Sequence, residues 1–215
     1  MRVIVAALAA LIVGATALIA KDLTPAPYPQ VPAGAETAIF AIGCFWCAES
    51  AFEGKPGIIS VTSGHTGGQT KNPTYEDVGQ GGTGHAEAIL IVYDPKKTTY
   101  EDLLYRFWRN ADPYSANGQF CDRGSQYRPE IFVKDAAQRK AAEASKAELE
   151  KQDKFKGKIV VKITDASTFY TAEKYHQDFA VLNPDHYKRY RFGCGRDDRL
   201  DAIWGKEARA GDPEH

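Results

Sequence analysis

The chain has 215 residues, of which 43% are hydrophobic and 26% charged, with a formal net charge of −1. That length buries a core without disulfide or metal staples, and that composition excludes global disorder. The balanced charge excludes a protein that binds nucleic acid through a basic surface, and four cysteines are too few for a disulfide-dense miniature scaffold.

Arg2 precedes an uninterrupted run of apolar or small residues from Val3 to Ala20. A positive start, an apolar stretch and Ala15-Thr16-Ala17 as a cleavage site read as a secretory signal peptide. The run also reaches the ~17 residues needed to span a bilayer, so an uncleaved N-terminal membrane anchor is the alternative. Either way the expected location is the periplasm or cell envelope. Residues 21–35 read as a Pro-rich linker, because Pro27, Pro29 and Pro32 favour an extended polyproline II spacer. The folded domain is placed at 36–205, and 206–215 is a polar tail.

Thr37–Ile42 reads as a strand ending at Gly43. Phe45, Ala48 and Phe52 have helical spacing, and Gly54 stops that helix. Ile58–His65 alternates like a strand. Residues 64–84 form a long Gly-rich loop, and Ala86–Tyr93 is a strand closed by Asp94-Pro95. Thr99 caps a helix carrying Leu103, Leu104 and Phe107 on one face. An irregular stretch runs from Asp112 to Pro129 and is followed by a strand at Glu130–Val133. Asp135 caps a long helix reaching about Lys151. Ile159–Ile163 reads as a strand, Thr171–Phe179 as a short helix, and the chain from Asn183 as polar and irregular. The order predicts an α+β single domain: a central mixed or antiparallel sheet covered by helices, a two-layer plait-like sandwich with an irregular C-terminal tail.

The strongest chemical signal is Gly43-Cys44-Phe45-Trp46-Cys47. A strand ends, a glycine turns the chain, and Cys44 starts a helix, where partial positive charge favours a thiolate. Cys44 and Cys47 form a C-x-x-C, the spacing of a dithiol pair or half a zinc site. Cys121 and Cys194 stand alone, so a four-ligand metal site does not follow. In Gly84-His85-Ala86-Glu87, a carboxylate at a strand mouth beside apolar neighbours is placed to be desolvated and to act as an acid near neutral pH. Alone, Glu87 reads rather as an ordinary surface residue on the polar face of a strand, and Cys47 and Cys121 as packing residues. His65, His176 and His186 read as turn or surface residues.

These motifs, with Pro73-Thr74-Tyr75 and Asp122-x-Gly124-x-Gln126-Tyr127, resemble the peptide methionine sulfoxide reductase A family in order and spacing across roughly residues 36–205. The resemblance implies reduction of methionine S-sulfoxide, free or in proteins. It makes Cys44 the nucleophile and Glu87 the proton donor. Tyr75 and Tyr127 hydrogen-bond the sulfoxide oxygen, Phe45 and Trp46 line the methyl pocket, and Asp122 helps bind the substrate backbone. The sulfenic acid left on Cys44 then condenses to a disulfide. Cys194, resembling the family's mobile C-terminal cysteine, is the expected resolving residue, with Cys47 and Cys121 as alternatives. The implied cycle needs no metal or bound cofactor, only a thioredoxin-like external dithiol. A monomer without nucleic-acid partners is expected. The chain departs from the best-known members at Cys47, where they have Gly, and at Cys121, where Asn is frequent. Those departures leave open a C-x-x-C thiol–disulfide oxidoreductase of the envelope, or a non-enzymatic envelope module that kept the fold.

Overall fold

The computed structural model describes residues 22–212, so the apolar leader at 1–20 lies outside the described residues. In chain order the elements are β1 (Glu36–Ile42), α1 (Phe45–Phe52), β2 (Ile58–Thr66), α2 (Tyr75–Gln80), β3 (Ala86–Tyr93), α3 (Tyr100–Arg109), β4 (Gly118–Gln119) and β5 (Asp122–Arg123). There follow β6 (Pro129–Val133), α4 (Ala136–Glu150), β7 (Lys162–Asp165), β8 (Tyr170–Thr171), α5 (Phe179–Leu182), α6 (Pro184–Gly193) and α7 (Arg196–Trp204).

Six strands form one sheet in the order β7-β6-β1-β3-β2-β8, antiparallel throughout except for the parallel β6–β7 pair. This is the mixed sheet of an α+β domain. All residues of β3 are buried. That explains its unbroken apolar run, because a strand covered on both faces has no polar alternation to show. Phe40, Ile89, Ile91 and Val61 face a helical layer containing Phe52, Leu104, Phe107 and Leu200. Leu90, Ala88, Ala41 and Phe132 face the other way and pack against Phe169. Burying each large apolar side chain is worth ~1.5–3 kcal/mol, so this two-sided packing fixes the central strands most firmly.

The helices begin where their caps dictate. Thr99 and Asp102 form a capping box on α3, and Asp135 accepts the Gln138 amide at the start of α4. The loop at 64–84 contains a helix the Gly-rich composition concealed: Thr74 and Asp77 make a second capping box that starts α2 at Tyr75.

Four other expectations are corrected. The chain from Asn183 is helical rather than irregular, because Pro184 opens α6, and Leu200, Ile203 and Trp204 of α7 are buried against the domain. Within the polar tail, Ala208 is buried and Asp212 pairs with Lys55 and Arg106. The strand expected at 159–163 lies at Lys162–Asp165, since Ile159 and Val161 are core residues beside it. The helix expected over 171–179 is instead β8, a 3-10 turn at Lys174–His176 and α5.

Residues 22–28, expected within an extended spacer, lie on the domain. Pro25 bridges Glu173, the Ala26 amide donates to Ala172 O at 2.9 Å, and the Lys174 amide donates to Thr24 O at 2.9 Å. The arm therefore continues the sheet edge beyond β8.

Candidate active site

Antiparallel pairing of β1 with β3 carries the end of one to the start of the other. The register Phe40↔Ile89, continued by two places, sets Ile42 opposite Glu87, the second residue of β3, so the turn that follows β1 brings Cys44 to the mouth of β3 beside Glu87. Gly43 makes the turn at φ +85°, and a Cβ there would stand 2.6 Å from Gln119 Cβ. Only glycine fits that conformation in that space. Cys44 is then the N-cap of α1.

Seven residues singled out in the sequence line one small cavity of about 70 Å³: Cys44, Phe45, Trp46, Tyr75, Glu87, Asp122 and Tyr127. Tyr190, which the sequence reading missed, completes it. Its hydroxyl donates to Asp122 Oδ2 at 2.6 Å. A larger hollow of about 410 Å³ lies on another side of α1, lined by Glu49, Glu53 and Asp178 rather than by a thiol. The convergent polar groups, not the volume, mark the reactive place.

Glu87 is 2% exposed. Burial pushes its carboxyl up to about 8, against the pull of the Phe45 amide, which donates to Oε2 at 3.0 Å. It is therefore a protonated acid at neutral pH. Burial also raises the Tyr75 and Tyr127 phenols well above their ordinary range, so both remain O–H donors, and they hydrogen-bond each other. Asp122 is raised by burial and held back by Tyr190.

Tyr75 owes its place to the Thr74 cap and to its own amide, which donates to Glu173 Oε1 at 2.9 Å. Trp46 stacks on Phe179 with centroids 3.6 Å apart and donates from Nε1 to His176 Nδ1 at 3.0 Å. The ring of Phe45 packs against Tyr75 and His176. His65 and His176 are thus buried rather than at turns or the surface, and burial lowers His65 to about 4. His85 anchors the Gly-rich loop: its Nδ1 accepts the Gly68 amide at 3.1 Å, and its Nε2 lies 2.8 Å from Thr70 O.

The thiolate expected at Cys44 is opposed by burial, which pushes that thiol well above its usual range, with Cys47 and Glu87 acting in the same direction. Cys47 shares a hydrogen bond with Cys44, which lowers it to about 6 despite burial, and the cations of Arg196 and Arg191 act in the same direction. The pair thus carries its negative charge on Cys47. Arg196 is itself buried, donating to Ile42 O at 2.8 Å and lying 4.2 Å from the Phe120 ring centroid.

The other two cysteines are bonded to each other. Cys121 and Cys194 form a disulfide with Cα atoms 4.9 Å apart, while Cys44 and Cys47 are free thiols. Cys121 is exposed, not a buried packing residue. Both sulfurs near Asp122 are thereby spent in a covalent bond rather than available to a metal.

An α+β domain with a buried dithiol, an acid held protonated beside it and a second, disulfide-bonded cysteine pair is built as a thiol-dependent oxidoreductase. Residues 36–208 match the family model described as peptide methionine sulfoxide reductase. The chain is 53% identical over 170 residues to the peptide methionine sulfoxide reductase MsrA 2 of Caulobacter vibrioides, covering 79% of this chain and 86% of that one. It is 52% identical over 169 residues to the MsrA of Bacillus velezensis, covering 79% and 96%. Among solved structures, reduced Mxr1 of Saccharomyces cerevisiae superposes with a TM-score of 0.67 at 31% identity, covering 73% of this chain and 90% of that one. The chain belongs to the peptide methionine sulfoxide reductase family. It is an oxidoreductase that returns methionine sulfoxide to methionine.

Proposed function

We propose that Cys44 attacks the sulfur of a methionine S-sulfoxide while Glu87 protonates the departing oxygen. The observation that carries this is the placement of a carboxyl kept neutral to about pH 8 in the same cavity as the buried thiol. Oxide is a poor leaving group, so the oxygen needs a proton as the S–O bond breaks. Tyr75 and Tyr127 donate hydrogen bonds to that oxygen as charge gathers on it. Phe45 and Trp46 receive the methyl group, and Asp122, held by Tyr190, takes an amide of the substrate main chain. As Cys44 attacks, its proton passes to Cys47, with which it already shares a hydrogen bond.

The step leaves methionine and a sulfenic acid on Cys44. The oxidising equivalent leaves through Cys194, whose disulfide with exposed Cys121 is open to attack by an external, thioredoxin-like dithiol. The protein works as a monomer. The apolar run behind Arg2 supports export, with residues 1–20 as signal peptide or anchor and the domain acting in the periplasm or envelope. The C-x-x-C thiol–disulfide oxidoreductase reading is disfavoured because it assigns no work to Glu87, Tyr75 or Tyr127.

The test is turnover of separate S- and R-methionine sulfoxide with dithiothreitol, for the intact sequence and for Cys44→Ser and Glu87→Gln. S-selective reduction, abolished by the first substitution and cut severely by the second, is expected. Full activity in Cys44→Ser would overturn the assignment.

A further inference from the structure

His65 is a buried titratable group with no part in the reaction above, and it stands directly across the sheet from Glu87. In the β2–β3 register the two residues are Cα partners. Facing residues of an antiparallel pair point to the same side, with Cβ atoms ~4.5–5.5 Å apart. That side is the one α1 covers. The His65 and Phe45 ring centroids are 5.7 Å apart, and the Phe45 amide is the donor to Glu87 Oε2 at 3.0 Å. His65 also pairs with Tyr170 of β8, so its backbone is held from both edges of β2.

The imidazole is fully buried, and neither ring nitrogen has a hydrogen-bond partner among the described residues. Burial, aided by His85, lowers its pKa to about 4, so the ring is neutral at neutral pH. A neutral imidazole carries one N–H and one bare nitrogen, whichever tautomer it holds. Buried donors without acceptors are destabilising and few in native folds. We infer that His65 is a positioning residue for the acid: its N–H is held for the Glu87 carboxylate that exists only once the proton has been given away. The inference rests on the reading of Glu87 as proton donor.

While Glu87 is protonated, Oε2 takes the Phe45 amide and the other oxygen holds the proton. A neutral carboxyl gains little from a further donor. As the S–O bond breaks, the proton passes to the departing oxygen, and negative charge appears on a buried side chain. The carboxylate then accepts the His65 N–H. His65 keeps its own proton throughout, so no second proton transfer is involved. A hydrogen bond that strengthens only as charge develops lowers the barrier without tightening the ground state.

The other charges around the pair are unchanged when His65 alone is replaced. Cys44 and Cys47 of α1 and Asp122 of β5 face the carboxyl, as do the Tyr75, Tyr127 and Tyr175 phenols. His85 faces the imidazole, and His176 shares the Phe45 ring with it. A shift in pH dependence on replacing His65 therefore reports its own effect on Glu87.

The test follows methionine released in the first turnover of N-acetyl-methionine S-sulfoxide by pre-reduced protein, as a function of pH. The intact sequence is compared with His65→Phe, which keeps a flat ring without nitrogens, and with His65→Gln, which restores an N–H. In His65→Phe the plateau rate should fall roughly tenfold. The N–H favours the ionised carboxylate, so its loss should also move the basic limb upward from about 8, by about one pH unit. The variant is thus slower yet active to higher pH. KM should hold, because His65 is not among the residues lining the cavity. His65→Gln should recover most of the rate and the parental limb. In a Glu87→Gln background, His65→Phe should have no further effect.

A parental rate and limb in His65→Phe would overturn the inference. So would a slower variant whose limb stays in place, a Gln variant that behaves like Phe, or an equal loss in the Glu87→Gln background, each of which marks a packing role. Parental turnover in Glu87→Gln alone would overturn the reading of Glu87 itself.

Discussion

The main-chain amide of Phe45 donates to Glu87 Oε2 at 3.0 Å, joining the first turn of α1 to the mouth of β3. One bond thus sets the position of the carboxyl relative to the Cys44 thiol, and it leaves the other oxygen to carry the proton. The electrostatics and the geometry of the site are fixed together.

The pH dependence follows from that carboxyl. Its ordinary value is 4.5 and its value in the fold is about 8. Turnover should hold through neutral pH and fall as pH rises through about 8. Stability has its own sign: between 4.5 and 8 the unfolded chain ionises while the folded one stays neutral, so the unfolded state binds fewer protons and stability falls as pH climbs. Glu87→Gln keeps an acceptor for Phe45 and removes this penalty. It should lower turnover by ~10²–10⁴-fold, yet raise stability at pH 7 by roughly 1–3 kcal/mol, with a smaller gain at pH 5. Melting curves at the two pH values check this; a variant less stable than the parent at pH 7 contradicts it.

Gly43→Ala should be damaging although it adds one methyl group. The backbone is at φ +85°, and the new Cβ meets Gln119 Cβ at 2.6 Å. A loss of about 1–3 kcal/mol is expected, together with reduced activity because the strain falls on the residue preceding Cys44. Urea denaturation beside single-turnover methionine release measures both.

Tyr190→Phe removes the donor that holds Asp122. A hydrogen bond to a charged acceptor is worth ~1.5–3 kcal/mol. The loss should appear chiefly as a raised KM for oxidised peptides, since Asp122 is assigned to the substrate main chain. A variant with unchanged KM would remove that role from the pair.

Cys194→Ser separates two reductants. Removing it leaves the Cys44 step intact but takes away the exposed disulfide. Turnover supported by thioredoxin should fall severely, while the first methionine released by pre-reduced protein should be unaffected. Equal support by thioredoxin in both proteins would show that the exposed pair lies off the route.

The sequence was most legible where local signals and burial agree. The apolar run of β3, the Thr99 and Asp135 caps and the Gly43-Cys44 turn all appear as expected, because each depends on neighbours within a few residues. Cys44 stood out from the strand–glycine–helix pattern and Glu87 as a candidate acid, whereas Tyr75 and Tyr127 could be singled out only through the family resemblance, and the fold gathers all four around one cavity. What escaped notice depends on long-range contact. Tyr190 sits in α6, which buries only Tyr187 and Arg191, so no apolar periodicity exposed it; in α7 the spacing of Leu200, Ile203 and Trp204 was available, but it marks packing and not the buried charge of Arg196. Pro184 followed by Asp185 was the available sign of a helix start. Burial of His65 and His176 was equally hidden, since β2 is an inner strand and the α5 region closes over Trp46.

The most direct test of Cys44 chemistry isolates that sulfur. The C47S/C121S/C194S variant, pre-reduced and mixed with each sulfoxide epimer in the presence of dimedone, should release one methionine per chain from the S epimer. It should gain a matching amount of dimedone on Cys44 and do neither with the R epimer. Methionine release without modification of Cys44, or modification that does not track release, would contradict direct attack by Cys44 on the sulfoxide.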